Sequence, residues 1–434
     1  MGFVRKYLSA DGLHELVRES MRREKFPELP KSKISWNDCV MAGLAIFGLK
    51  FPSLLKFEEE KLEPFTRCNL RKLYRVNCAP SDTCLRERLD MLSPQVLRRA
   101  FKLIFACLQR GKVLEQYKYL DGHCLLSIDG TGQYSSNTVR CKNCCEKHHR
   151  NGEVTYYHQM LGLVLVHPRE RVVIPLAPEP IVKGDGSKKN DCERNAAKRL
   201  LREFRREHPH LKAIIVEDSL GSNYPHLALL DELKLQYVIG VKPGDHEFLF
   251  EWIKHAKGTE VIEIKDKIKH KFRYVNDVPL NDEHFDYRVN VLEYWEEKPN
   301  GKKQYFSWVT SFKITDDNVY ELMRTGRARW RIENETFNTL KNQGYNFEHN
   351  YGHGYENLCS VMTMLMMLAF LIDQVLQLCD KLYQKVLAKK KRIALFENVR
   401  TLVQYAAWEN WLALYETILH PEVHPPPIGI LPAD

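Results

Sequence analysis

The sequence predicts an α/β protein with a mixed-sheet core, a β-rich insertion within that core, and helical regions at both ends. Three patterns carry this expectation. Between residues 119 and 242, short apolar runs ending near carboxylates alternate with amphipathic helix patterns. Between 243 and 312, strand-like runs follow one another with turn residues between them. Before 118 and after 313, apolar residues recur at helical spacing.

The elements read as follows. Ser9 caps a first helix through Leu13, Leu16 and Val17, residues 34–49 form a second, and residues 92–108 a third opened by Ser93-Pro94. Residues 81–92 followed by Ser93-Pro94-Gln95 have the outline of a helix-turn-helix. Strands are predicted at 124–129, 155–166, 171–176, 211–216 and 236–241, with helices at 191–207 and 225–235. Four more strands fall at 259–264, 270–275, 287–294 and 304–311, with Asn300-Gly301 as a hairpin turn. One long helix spans 318–343 and stops at Gly344; a very apolar one spans 356–388 and a third 398–419, before a Pro-rich tail. The resulting division is 1–118, 119–242, 243–312, 313–390 and 391–434.

The formal net charge is +9, and residues 1–120 hold 23 Lys/Arg against 14 Asp/Glu, so the remainder is near neutral. A basic helical head on a neutral body suits a DNA-binding domain, or simply a solvated basic surface. Twelve cysteines at this length are not a secreted disulfide framework, and the N-terminal stretch lacks the apolar run of a signal peptide. The expected setting is a reducing cytoplasm. The most apolar run, 361–372, is about half the length of a bilayer span and ends at Asp373, which predicts a buried helix and no membrane partner.

Three acids stand out. Asp129 follows the apolar run Leu125-Leu126-Ser127-Ile128, and Asp218 follows Ala213-Ile214-Ile215-Val216-Glu217. Glu333 lies in Arg329-Trp330-Arg331-Ile332-Glu333, where helical spacing groups it with Arg329, Phe337 and Leu340 on an inward face. Glu335 shares its face with Arg331, Thr339 and Asn342 and is expected to be wet. Alone, each acid reads as a cap or an ion-pair partner. Together, carboxylates at strand ends repel one another and call for a divalent cation, Mg²⁺ or Mn²⁺.

On these motifs the sequence resembles the DDE transposases of bacterial insertion sequences, in particular the insertion-sequence-four group. The matching pieces are Ser127-Ile128-Asp129-Gly130-Thr131, Val216-Glu217-Asp218-Ser219-Leu220-Gly221, and Arg329 through Glu333 continuing to Lys341. The resemblance implies an RNase H-like core in which Asp129, Asp218 and Glu333 are catalytic and bind two Mg²⁺ or Mn²⁺ ions. It implies cleavage at transposon ends, a DNA hairpin, strand transfer into target DNA, and a homodimer on paired double-stranded ends. Arg329 and Lys341 would grip phosphates. Lys341 lies one residue beyond the family's usual spacing, and Gly326 stands where that family has a tyrosine. An aromatic of the insertion, Trp295 or Trp308, would stack a flipped base or else pack between strands. Competing readings are a nuclease or resolvase of the same core, and a non-catalytic DNA-binding relative.

Two further clusters are open to two readings each. Cys141, Cys144, Cys145, His148 and His149 have the residue types of a zinc site, crowded into one short loop; the alternative is a basic loop with reduced thiols. Lys183, Lys188, Lys189 and Arg194 surround Gly184-Asp185-Gly186-Ser187 and either contact DNA phosphates or solvate the loop.

Overall fold

The computed structural model describes residues 7–28, 33–183, 193–427 and 429. Among the described residues six helices come first: α1 (Ala10–Met21), α2 (Trp36–Gly48), α3 (Leu54–Glu60), α4 (Pro64–Tyr74), α5 (Asp82–Met91) and α6 (Arg98–Arg110). The hydroxyls of Ser9, Ser35, Ser53 and Ser81 accept backbone N–H bonds in the first turns of α1, α2, α3 and α5. Each such cap contributes about 1 kcal/mol.

The central part runs β1 (Cys124–Ser136), β2 (Cys145–His148), β3 (Val154–Val166), β4 (Ile174–Pro175), β5 (Glu179–Ile181), α7 (Glu193–Glu207), β6 (Ala213–Glu217), α8 (Tyr224–Glu232) and β7 (Gln236–Gly240). β3 lies antiparallel against β1, while β6 and then β7 continue parallel to β1 on its other side. β4 and β5 pair with the far edge of β3. Antiparallel strands on one side of β1 and parallel ones on the other make an RNase H-like core. The third predicted strand shrinks to two residues; just before it, the Val173 N–H donates to the Gln374 side chain instead of to β3.

Next come α9 (Glu247–His255), which the sequence reading had not assigned, and β8 (Thr259–Lys265), β9 (Ile268–Pro279), β10 (Arg288–Glu297) and β11 (Lys303–Thr310). β11 pairs antiparallel with β7, so the insertion extends the core sheet in the order β7-β11-β10-β9-β8.

The last stretch departs most from expectation. The long helix of 318–343 is divided into α10 (Val319–Arg327), a π-helical turn (Ile332–Phe337) and α11 (Asn338–Asn342). The apolar helix is α12 (Leu358–Cys379); Asp380 ends it and caps α13 (Lys381–Lys389) by accepting from the N–H groups of Leu382 and Tyr383. The third helix is two, α14 (Arg392–Tyr405) and α15 (Trp411–Leu419), the second capped by Asn410. The start of the predicted helix at residue 191 lies outside the described residues.

α12 is long and apolar enough to cross a membrane by length and composition, yet 94% of its most apolar window is buried inside the protein. It packs on α2, α5 and β4, serving as the axis of one continuous core. Chain ends meet around it. The Asn69 amide on α4 donates to the carbonyls of Val403 and Ala406, and Lys50 forms a buried 2.7 Å ion pair with Asp373 of α12.

Candidate active site

β1 and β6 are adjacent and parallel, with Ser127 opposite Val216. That register carries Asp129 and Asp218 out at the same sheet edge, two residues further on. Asp129 Oδ1 accepts from the N–H of Gly130 at 3.0 Å, and Asp218 Oδ1 accepts from the N–H of Leu220 at 3.0 Å, capping the short turn Ser219–Gly221. The two acids line one crevice with Ile128, Leu161, Glu193 and Leu220.

Glu333 arrives from the π turn. Ile332 and Phe337 of that turn rest on β3 at Gly162, the register partner of Asp129; a Cβ there would stand 3.1 Å from the Phe337 ring. A methyl at this position would press on the Phe337 ring, so glycine suits the close approach of the turn to the sheet. One guanidinium nitrogen of Arg329 lies 2.7 Å from Glu333 Oε1 and 3.5 Å from Asp129 Oδ2, so the two carboxylates face each other across it. The Ser127 hydroxyl donates to the Arg329 carbonyl at 3.2 Å and ties this segment to β1. The expected division into an inward Glu333 and a wet Glu335 does not hold: their side chains are 37% and 31% exposed, and Glu335 pairs with Arg331 at 2.9 Å. The wider π turn shifts the faces that α-helical spacing assigns.

Burial pushes the Asp129 carboxyl up to about 7; Arg329 opposes the shift, and the negative charges of Glu333 and Asp218 add to it. A fourth acid was not foreseen. Glu193, at the start of α7, has its carboxyl raised by burial and then by Asp218 and Glu217. A first-turn acid usually serves the helix dipole, so its sequence context gave no sign of this role.

A family model described as a transposase DDE domain matches residues 122–371, more than half of the chain and all three acids. The chain belongs to the DDE transposase family. No curated protein matches it. Among solved structures it is similar to a piggyBac transposase synaptic complex with hairpin DNA determined by cryo-EM, at 12% identity and a TM-score of 0.42, covering 98% of this chain and 82% of that one.

The remaining predicted residues of this DDE transposase chain have other partners. Lys341 pairs with Glu348 at 2.9 Å and Lys183 with Glu146 at 2.6 Å. Lys188, Lys189 and the glycine-containing loop before them lie outside the described residues. Gly326 packs its Cα face directly on the Trp308 indole, leaving no room for a tyrosine. Trp308 is buried among strand residues, while Trp295 sits half-buried against Tyr305.

The proposed Cys/His set is corrected in its membership. Cys141 and Cys144 converge, but with His158 of β3 and with His353, which precedes α12. Strand alternation along β2 turns Cys145 into the core beside the Ile181 carbonyl and leaves His148 exposed. His149 instead contacts the Thr155 hydroxyl at 2.8 Å.

Proposed function

We propose that this chain is a DNA transposase of the insertion-sequence-four type, cutting the ends of a mobile element and joining the freed 3′ ends to target DNA in the cytoplasm. The observation that supports this most is the meeting of three acids from three separate stretches at one edge of an RNase H-like sheet. Their donor chemistry fits a hard divalent cation. The atoms are carboxylate oxygens, and positive charge, here a guanidinium, already stands between two of them. Asp129, Asp218 and Glu333 would hold two Mg²⁺ or Mn²⁺ ions. Bound there, such ions activate an attacking hydroxyl and stabilise the departing oxygen of a phosphodiester.

The chain's own groups have distinct tasks. Asp129 within β1 and Asp218 just past β6 are anchored through one oxygen each to neighbouring N–H groups, which fixes their direction. Arg329 compensates Glu333 and Asp129 in the free protein and is placed to turn to a DNA phosphate. Trp330, 49% exposed beside Arg329, offers a stacking face for a base near the cut. The order of events would be nicking, attack of the released 3′-hydroxyl on the opposite strand to give a hairpin, hairpin opening, and joining. Two copies acting on paired ends would process both ends together.

The test incubates the full chain with candidate terminal sequences, a target plasmid and Mg²⁺. Joined plasmid product is expected. Cut DNA without joined product would overturn the strand-transfer reading in favour of a nuclease, and binding without any cutting would leave a non-catalytic relative.

A further inference from the structure

We propose that Cys141, Cys144, His158 and His353 form a structural zinc site, distinct from the acidic edge and independent of the transposase reading. All four ligand atoms lie within 4.8 Å of one another. The two sulfurs are 3.8 Å apart; His158 Nε2 is 3.2 Å from Cys141 Sγ and 3.4 Å from Cys144 Sγ, and His353 Nε2 is 3.3 Å from Cys144 Sγ. A tetrahedron with Zn–S of about 2.3 Å and Zn–N of about 2.05 Å has S–S edges of about 3.8 Å and S–N edges of about 3.6 Å. These four separations fall within about 0.4 Å of those edges, and every pair of ligand atoms is within 4.8 Å. They exclude a disulfide, whose sulfurs stand about 2.05 Å apart.

The surroundings point the same way. Cys144, His158 and His353 are buried, and Cys141 is partly so. Among the described residues, the hydrogen-bond partners of both imidazoles are these sulfurs alone, and each Nδ1 is buried without one. Two imidazoles turned onto thiols in a dry interior are costly as bare side chains. A cation that ionises the thiols and takes both Nε2 lone pairs satisfies those four atoms. With four protein ligands there is no open position for substrate, which makes the role structural.

The site would join three separate stretches of the chain. Cys141 and Cys144 lie between β1 and β2, His158 is on β3, and His353 comes from the segment leading into α12. That segment is already gathered at the same place. The Lys142 N–H donates to the Tyr355 carbonyl at 3.3 Å and the Asn143 amide to the Glu356 carbonyl at 2.7 Å. Zinc would lock the β1–β3 hairpin, and with it the strand that presents Asp129, to the helical body.

Full-length protein purified without chelators from zinc-supplemented cells should carry one zinc ion per chain by elemental mass spectrometry. Replacement by Co²⁺ should give the visible absorption of a tetrahedral thiolate complex. Cys144→Ser and His353→Ala should lose the metal, whereas His149→Ala, Cys78→Ser and Asp129→Asn should keep it. Only trace zinc in the unaltered protein together with no cobalt spectrum overturns the proposal, even where the ligand variants fail to fold. Full zinc content in both ligand variants overturns it as well.

Discussion

Two groups of ligand-type side chains each take one member from the paired strands β1 and β3, Asp129 in one and His158 in the other, and they are built differently. The acidic group is open: hard oxygens within one strand, just past another and on a helical turn, with a guanidinium between two of them. The Cys/His group is closed: soft and intermediate donors, mostly buried, with all four ligand atoms within 4.8 Å of one another. An exchangeable counter-charge suits a site that must admit DNA and ions. A fixed, dry tetrahedron suits a fastening. On the proposals above, the acidic group would serve chemistry and the Cys/His group cohesion.

Removing single acids breaks the comparison most sharply. Asp129→Asn, Asp218→Asn or Glu333→Gln should each lower Mg²⁺-dependent strand cleavage by about 10³-fold or more, with DNA binding retained in a gel-shift assay. Full activity in any of them removes that residue from the site. Next is Asp90 on α5, whose carboxylate accepts from the N–H groups of Tyr355, Glu356, Asn357 and Leu358 at 2.8–2.9 Å. Asp90→Ala leaves these donors at the start of α12 unpaired and should cost about 3–5 kcal/mol in urea unfolding. It should loosen the segment bearing His353 while Mg²⁺ affinity changes little; an equal loss in both would mean that the two groups are not separable.

Gly162→Ala is the smaller, opposite probe. Its methyl presses on Phe337, so about 1–3 kcal/mol of stability should go, and cleavage should fall more than zinc content does. Trp330→Ala should change stability by less than about 0.5 kcal/mol, as a surface substitution, yet weaken binding to a transposon end. Unchanged end binding would remove the stacking role. The mildest effect is with pH. In metal-free protein the raised Asp129 carboxyl favours the folded state below its ordinary value of 3.8, and this contribution is lost as pH rises through about 7. The melting temperature should therefore carry a declining component over that window, which Asp129→Asn removes. Apparent Mg²⁺ affinity should rise across the same window, because the ion needs the unprotonated carboxylate.

Much of the fold was legible because strand and helix periods are local. The apolar runs ending at Asp129 and Asp218 announced buried strands, and the Ser-led helix starts of the head fell where capping predicts. Non-local choices were not legible. Nothing in the sequence of β11 says that it pairs with β7, so the insertion read as a separate block. The π turn depends on the packing of Ile332 and Phe337 over Gly162, which helical spacing cannot express. For the Cys/His group, Cys141-x2-Cys144 was visible, but His158 looked like an ordinary strand residue and His353 lies far along the chain. Proximity in sequence favoured Cys145, His148 and His149, and strand alternation dispersed them.

The apolar sheathing of α12 also bears on how the chain is made. The helices of the head pack around residues 358–379, so while a ribosome is still reading the earlier codons those helices lack their axle. The nascent chain must hold a large greasy surface unfilled until most of the message has been translated.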